Sequence, residues 1–306
     1  MASKATIHII LSFVFVWFYG AHLSANTPEL YRALAHSCQT QKNSPMCADF
    51  AQQTTETFPA WLASKFDRQA ISTPAFITGY YQPIVPGSTT KTARFSAPLY
   101  LLPANPAHSR AALRQARHGD KALPVLAYVE DEVEAFFIGI QGSALLDTER
   151  GQLSVTYAGH NGQAYHAIGK TLVQRGALTP DALSMESIKS WLRAHPESQA
   201  EVLDSNPRVI YFKAAKPAKH PQALGAQGLP LTPGHSVAVD PSQHAYGSLL
   251  YLEADGLPQY LIAQDTGAAI KGEARLDLFT GSGEAAGKAA GSLKRAGKLW
   301  RLHYRP

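Results

Sequence analysis

The last third of the chain limits the fold more than any other stretch. The segments LTPGHSVAVD, SLLYLEA, QYLIAQD, ARLDLF and KLWRLHYR follow one another as five short apolar or alternating runs. Gly, Pro or Asp punctuates them, and a single short helical segment, Glu284 to Ala296, stands before the last. Runs of this length bounded by turn formers read as strands, and such a series has the composition of a β-barrel.

The upstream chain is mixed. Residues 27 to 70 carry helical spacing through Leu30, Leu34, Phe50, Trp61, Leu62 and Phe66, which predicts two or three short helices. FITGYYQP at 76–83, PLYLLP at 98–103, PVLAYVE at 124–130, FFIGIQG at 136–142 and LSVTYAG at 153–159 read as strands. Between 180 and 195 the spacing becomes helical, with Leu183, Ile188, Trp191 and Leu192 on one face, and NPRVIYFK returns to strand. The Lys-, Ala-, Pro- and Gly-rich stretch 214–228 reads as a loop or domain crossing, and no repeat at a fixed period is found.

At 306 residues and 45% hydrophobic content the chain can bury a large core, as two domains or one large one. The apolar run IHIILSFVFVWFY at 7–19, preceded by Lys4 and followed by small residues, has the layout of a secretory signal, assigned to residues 1–25. It is shorter than the roughly 20 residues of a membrane span, an uncleaved anchor being the alternative, and no Cys beside it supports lipid anchoring. The expected mature protein is soluble and exported, to the periplasm. In that compartment Cys38 and Cys47 read as one disulfide, or else as two free buried thiols. His160 and His166 lack a metal-ligand arrangement, so no metal is expected. The net charge of +5 is scattered, with its densest segments at 213–220 and the C-terminus, which suits an anionic polymer such as a cell wall and not a nucleic-acid groove.

Two acids stand out. Asp265 closes the run Tyr260 to Ala263 at a Gly turn, and Asp277 lies inside the run Arg275 to Phe279. A carboxyl in an apolar strand pattern is costly to bury unless paired or protonated, and a protonated carboxyl is what a general acid requires. The plainer reading makes Asp265 an Asx-turn residue and Asp277 an outward-facing strand residue. Other chemistries fall away. GSGEAA at 281–286 matches a relaxed dinucleotide pattern, but too little chain follows it and no acid is present for a ribose, so no cofactor is expected. Gly287-Lys288 lacks the spacing and the Ser or Thr of a phosphate loop, and no G-x-S-x-G elbow or catalytic Cys setting exists.

Ten blocks then fall into one order: TGYYQP, PLY, FFIGIQGS, YAGHNGQAYHAIGK, LVQRG, SMESIKSWLRAHP, NPRVIYF, ALGAQGLPLTPGHSVAVD, AQDTGAAIKG and RLDLFTGSGEAAG. Together, over roughly residues 70 to 302, they resemble the membrane-bound lytic murein transglycosylase A family. The resemblance implies a mainly β fold: a double-psi β-barrel from residues 26–104 and 214–306, an inserted smaller β-domain at 105–213, and a few N-terminal helices. It also implies a peptidoglycan groove at the junction. The implied partner is the glycan strand, whose β-1,4 bond between N-acetylmuramic acid and N-acetylglucosamine is cleaved without water to leave a 1,6-anhydro end.

In that resemblance Asp277 matches the single catalytic Asp and Asp265 the family's other acid. A lone acid suffices because the sugar's own six-position hydroxyl is the nucleophile. Tyr80, Tyr81, Gln141, Ser143 and Thr232 are expected to converge on the glycan, since aromatic faces and hydroxyl or amide tips suit a sugar. Lys271, six positions after Asp265 on the same loop, is expected as the electrostatic partner of an ionised, structural Asp265. Departures from the family pattern stand at Gly139, Ala144, Leu145, His235, Ala245, Tyr246 and Ala268. They read as altered substrate preference or efficiency, with a wall-binding module without catalysis as one alternative; a hydrolase using both acids is a second, separate one.

Overall fold

The computed structural model describes residues 27–116, 123–216, 222–257 and 259–306; the apolar run at 7–19 and the expected signal at 1–25 lie outside the described residues, as does part of the crossing at 214–228. One strand organises the molecule. β1 (Phe66–Gln82) is 17 residues long. It runs antiparallel to β12 (Lys294–Tyr304) over most of its length and, from Phe76 onward, parallel to β11 (Arg275–Ser282). With β8 (Ser236–Ala238), β9 (Leu249–Glu253) and β10 (Tyr260–Asp265) it closes a six-stranded barrel in the order β1-β11-β8-β10-β9-β12. β8 and β10 form a second parallel pair, while the remaining neighbours are antiparallel. This is the double-psi barrel expected from the sequence.

Strand alternation decides what fills it. Ile71 and Ile77, Val237, Leu250 and Leu252, Leu261 and Ala263, Leu276 and Leu278, and Leu299 point inward and form one buried cluster. Each large aliphatic chain withdrawn from water contributes about 1.5–3 kcal/mol. The outside is covered on one flank by α1 (27–38), α2 (Pro45–Phe50) and α3 (Phe58–Ser64). Leu30, Leu34, Phe50, Phe58, Trp61 and Leu62 from these helices pack on Phe66, Leu249 and Ile262. Gln264 fastens the contact by donating to Ala33 O at 3.1 Å and Ser37 Oγ at 2.9 Å from α1. Cys38 and Cys47 form the expected disulfide, which joins the end of α1 to α2.

A second unit sits between β1 and β8. Its sheet has the order β2-β5-β6-β7, from β2 (Ile84–Pro86), β5 (Ser143–Thr148), β6 (Gly151–His160) and β7 (Ile210–Ala214). β3 (Ala97–Tyr100) and β4 (Val125–Val129) form a separate pair packed on the same core. Around them lie α4 (Arg110–Ala116), α5 (Glu132–Gln141), α6 (Ile168–Gln174), α7 (Met185–Ala194) and α8 (Pro196–Asp204). Among the described residues no helix is long and apolar enough to cross a membrane.

Several expectations need correction. The segment 136–142 is not a strand but the body of α5 and its cap. Asp131 caps the N-terminus by accepting from Glu134 N at 2.7 Å, and Gly142 ends the helix with φ 78°. A short apolar run does not itself distinguish strand from helix, and here the caps decide. Phe66 opens β1 instead of ending a helix. The helix expected at 180–195 begins only at Met185, behind the Ser184 capping box, and Pro196 then starts α8. The last helix, α9 (Glu284–Ser292), stops four residues short of Ala296 because Lys294 already pairs with Thr78. The second unit begins earlier than residue 105, since β2 and β3 hydrogen-bond with β5 and β4 and not with the barrel.

Candidate active site

The two acids are brought level by register. In β8, Ala238 is the partner of Asp277 across the antiparallel β11 ladder and of Asp265 across the parallel β10 ladder. Thr78 in β1 is the partner of Asp277 on its other side. Paired residues face the same way, so Asp265, Ala238, Asp277 and Thr78 form one row on the barrel's outer face. The two Asp backbones lie two strand spacings, or about 10 Å, apart.

Asp265 reaches that row through an irregularity. Leu261 and Ala263 point into the barrel, and simple alternation would send Asp265 in after them. The register shifts between Ala263 and Asp265. An extra residue in one strand re-aims the side chain beyond it, as bulges beside active sites do. A small Ala between the two acids leaves the space above β8 to their carboxyls.

Their surroundings differ. Both oxygens of Asp265 are occupied: Oδ1 accepts from Thr266 N at 2.8 Å and Ala226 N at 3.0 Å, and Oδ2 from the Tyr80 hydroxyl at 2.8 Å. Burial pushes its carboxyl up to about 6 against the pull of these donors, and the nearby Asp277 charge adds to the rise. Tyr80 is raised well above its ordinary value, by burial first and then by Asp265 and Asp277. Asp277 has one donor, the Thr78 hydroxyl, which bonds Oδ1. Among the described residues Oδ2 has no hydrogen-bond partner, yet it is not one of the polar atoms sealed from solvent. Burial raises the Asp277 pKa, opposed by the Thr78 bond and by the Arg275 charge.

Arg275 is held tightly. Its Nη2 donates to Thr78 Oγ1 at 2.8 Å, and its Nη1 donates to Phe76 O at 3.3 Å and to Leu276 O. The guanidinium lies 5.0 Å from the centre of the Phe76 ring. Neither Thr78 nor Arg275 was singled out in the sequence. The signal was present, since Arg275 and Asp277, two apart in a strand, share a face.

The expected partner of Asp265 is corrected. Lys271 is exposed, and its charge acts on Asp240. The Asp240 carboxyl is held down at about 2 by Gly272 N, by Ser242 and, more weakly, by Lys271. Asp240 Oδ2 accepts from Gly272 N at 2.9 Å, and Thr266 Oγ1 donates to Val239 O at 2.9 Å. The loop after Asp265 is thus pinned to the end of β8. Ala268 lies exposed in a turn closed by Ile270 N on Gly267 O at 3.0 Å.

Of the expected sugar contacts, Tyr80 is bonded to Asp265, and Gln141 joins the two units through its Oε1, which accepts from Tyr81 N at 3.1 Å. The Tyr81 ring lies over Gly287 of α9, where a Cβ would approach it to 3.0 Å. Ser143 heads β5 and is 9% exposed. The Thr232 hydroxyl is sealed in the turn before β8 and has no hydrogen-bond partner among the described residues. Ala144 and Leu145 are buried in the second unit, and Leu145 pairs with Ile84. A cavity of about 660 Å³ opens elsewhere, between α1, α3 and the β9–β10 turn, with His235 in its lining and neither acid.

The two units of the chain are similar to known domains. The model of the MltA specific insert domain matches residues 76–213, and that of the 3D domain matches residues 235–303. The membrane-bound lytic murein transglycosylase A of Escherichia coli K12 is 34% identical over 245 residues, which cover 75% of this chain and 66% of the relative. The chain therefore spans just under two thirds of that relative's length. The crystal structure of a membrane-bound lytic murein transglycosylase from Agrobacterium tumefaciens superposes with a TM-score of 0.81 at 26% identity, covering 92% of this chain and 93% of that one. E. coli MltA with bound chitohexaose gives 0.76 at 28% identity, covering 92% and 90%. With its inserted unit and the strands of its barrel both matched, the chain belongs to the membrane-bound lytic murein transglycosylase A family.

Proposed function

We propose that the protein is an exported lytic transglycosylase that cleaves peptidoglycan glycan strands between N-acetylmuramic acid and N-acetylglucosamine, with Asp277 as its single acid and base. The observation that carries this reading is the asymmetry of Asp277. One oxygen is tied to Thr78, the other is open, and burial favours the protonated form. Protonated Asp277 gives its proton to the bridging oxygen as the bond to the muramyl C1 breaks and an oxocarbenium-like centre develops. The muramyl six-position oxygen then bonds C1, and its proton passes to the Asp277 carboxylate. The acid is regenerated and no water is consumed.

Asp265 supports the site without reacting in it. Its Oδ1 accepts two hydrogen bonds and its Oδ2 one, and a carboxylate held on both oxygens is poorly placed to attack a sugar or activate water, which disfavours hydrolysis by two carboxylates. Tyr80, Tyr81, Gln141 and Ser143 provide the walls along which the glycan lies, and the disulfide fits an oxidising compartment such as the periplasm. Mass spectrometry of purified sacculi digested by the protein tests the reading. Products ending in 1,6-anhydromuramic acid are expected; reducing ends would mean hydrolysis, and undigested but protein-coated sacculi would mean a binding module.

A further inference from the structure

The hydrogen bonds around Asp277 form a chain, from Arg275 through Thr78 to Oδ1. A guanidinium donates and never accepts, so in the contact between Arg275 Nη2 and Thr78, at 2.8 Å, the Thr78 oxygen is the acceptor. The hydroxyl has one proton of its own, and its other short contact is Asp277 Oδ1. In that contact Oδ1 accepts, so the proton points at Oδ1. A carboxylic acid whose Oδ1 already receives a hydrogen bond carries its own proton on the other oxygen, and Oδ2 is the one that reaches solvent.

We propose that Arg275 is a positioning residue for the reaction: by donating to Thr78 it turns the Thr78 hydroxyl onto Asp277 Oδ1, so that the proton Asp277 delivers is held on Oδ2, facing the glycan. The inference rests on Asp277 being the acid. It also accounts for an exposed aromatic residue. Phe76 is 48% exposed on the strand face that carries Thr78, two residues away. Its ring and carbonyl, with Leu276 O, hold the guanidinium in the orientation that sends Nη2 to Thr78. A planar fork fixed on several sides defines one donor direction, which a flexible ammonium does not.

The charged and titratable groups facing Asp277 are Arg275 on its own strand, Tyr80 on β1, Asp265 on β10 and, beyond Thr78, Lys294 on β12. Of these the Arg275 charge lowers the Asp277 pKa, as does the Thr78 hydrogen bond. Loss of either should move the alkaline limb of the rate profile to higher pH, because an acid with a raised pKa keeps its proton longer.

The test is a double-mutant cycle read on kcat/KM against pH, with release of anhydro products from soluble glycan fragments as the assay. Arg275→Gln and Thr78→Val should each lower the plateau about 10-fold, a part of the ~10²–10⁴ that a positioned acid supplies. Each should also shift the alkaline limb upward. The double variant should fall little further than either single one, since both break the same chain of bonds. Thr78→Ser, which keeps the hydroxyl, should recover most of the plateau lost in Thr78→Val, and Arg275→Lys should keep the limb near its original position while recovering only part of the rate. Losses that multiply in the double variant, or an alkaline limb that stays in place in Arg275→Gln, would overturn the proposal and leave Arg275 a structural residue. Asp277→Asn serves as the control for the underlying reading: if it turns over normally, the acid assignment itself is wrong, whereas an inactive Asp277→Asn with an additive cycle removes only the role of Arg275.

Discussion

The end of β10 and the middle of β11 each present one aspartate to the same face of the barrel, partnered through the same alanine, and the chain has built opposite environments around them. At the end of β10 the carboxylate is held on both oxygens by two backbone amides and a tyrosine hydroxyl, and the loop that follows is tied down through Thr266 and Gly272. In β11 a single hydroxyl and a neighbouring guanidinium steady one oxygen and leave the other open. Burial alone therefore does not mark a reactive carboxyl, since it raises both groups. What separates them is the number of oxygens left free. A carboxylate with a donor on each oxygen is an anchor, and one with an open oxygen can exchange a proton.

The widest gap between the two should appear on exchanging each acid for its amide. Asp277→Asn removes the transferable proton and should lower turnover by about 10²–10⁴ while leaving thermal stability and binding to sacculi close to the original. Asp265→Asn should cost at least about ten times less, because an amide still offers an oxygen to the Ala226 and Thr266 amides. Initial rates of anhydro-product release, measured with melting temperatures, decide the matter. Equal losses at both positions would erase the distinction and restore a mechanism that uses two carboxylates.

A smaller effect should separate Asp265 from the acid that pins its loop. Burial pushes the folded Asp265 carboxyl up to about 6, above the roughly 3.9 of the unfolded chain, so between about pH 4 and 6 the folded state is expected to bind more protons. Stability should fall as the pH rises through that window, by up to about 3 kcal/mol, and the Asn variant should lack this slope. Asp240, held down at about 2, has the opposite sign. Its contribution is present above about pH 4 and fades as the pH drops toward 2. Urea unfolding at closely spaced pH values checks both slopes, and a flat wild-type profile from pH 4 to 6 would mean that Asp265 is ionised without penalty.

The barrel was legible in the chain because its strands are short, alternating and punctuated, and because inward positions such as Leu276 and Leu278 repeat every second residue. The inserted unit was less so. Phe136 to Ile140 is apolar throughout, and only Asp131 and Gly142 at its ends mark it as a helix. Pro196 lies just past the helix at 185–194 and begins α8, at the position where proline's missing N–H costs nothing. At the site, both acids could be found from spacing and resemblance, whereas the partner of Asp265 could not. A residue six positions downstream was expected, and the side-chain donor is Tyr80, 185 positions away, brought in by the parallel register of β1 and β11 and by the shift that turns Asp265 outward. Long-range pairing of this kind leaves no local pattern.

The Tyr80 bond gives the finest division between the two acids. Tyr80→Phe removes one hydroxyl and keeps the ring that packs 5.4 Å from Phe279. Asp265 would then lose a donor that favours its ionised form, so its carboxyl should move above 6, and the pH window in which stability falls should extend upward. Stability should drop by about 1 kcal/mol at pH 7 and by less at pH 4, where the carboxyl is protonated in both proteins. Asp277 feels no bond from this hydroxyl, so the alkaline limb of the rate profile should stay where it is even if the rate declines modestly. Urea unfolding at pH 4 and 7, alongside a pH–rate profile, tests the pair of expectations. A shifted alkaline limb with unchanged stability would show that Tyr80 serves Asp277 and not Asp265, and the separation into an anchoring and a reacting acid would have to be redrawn.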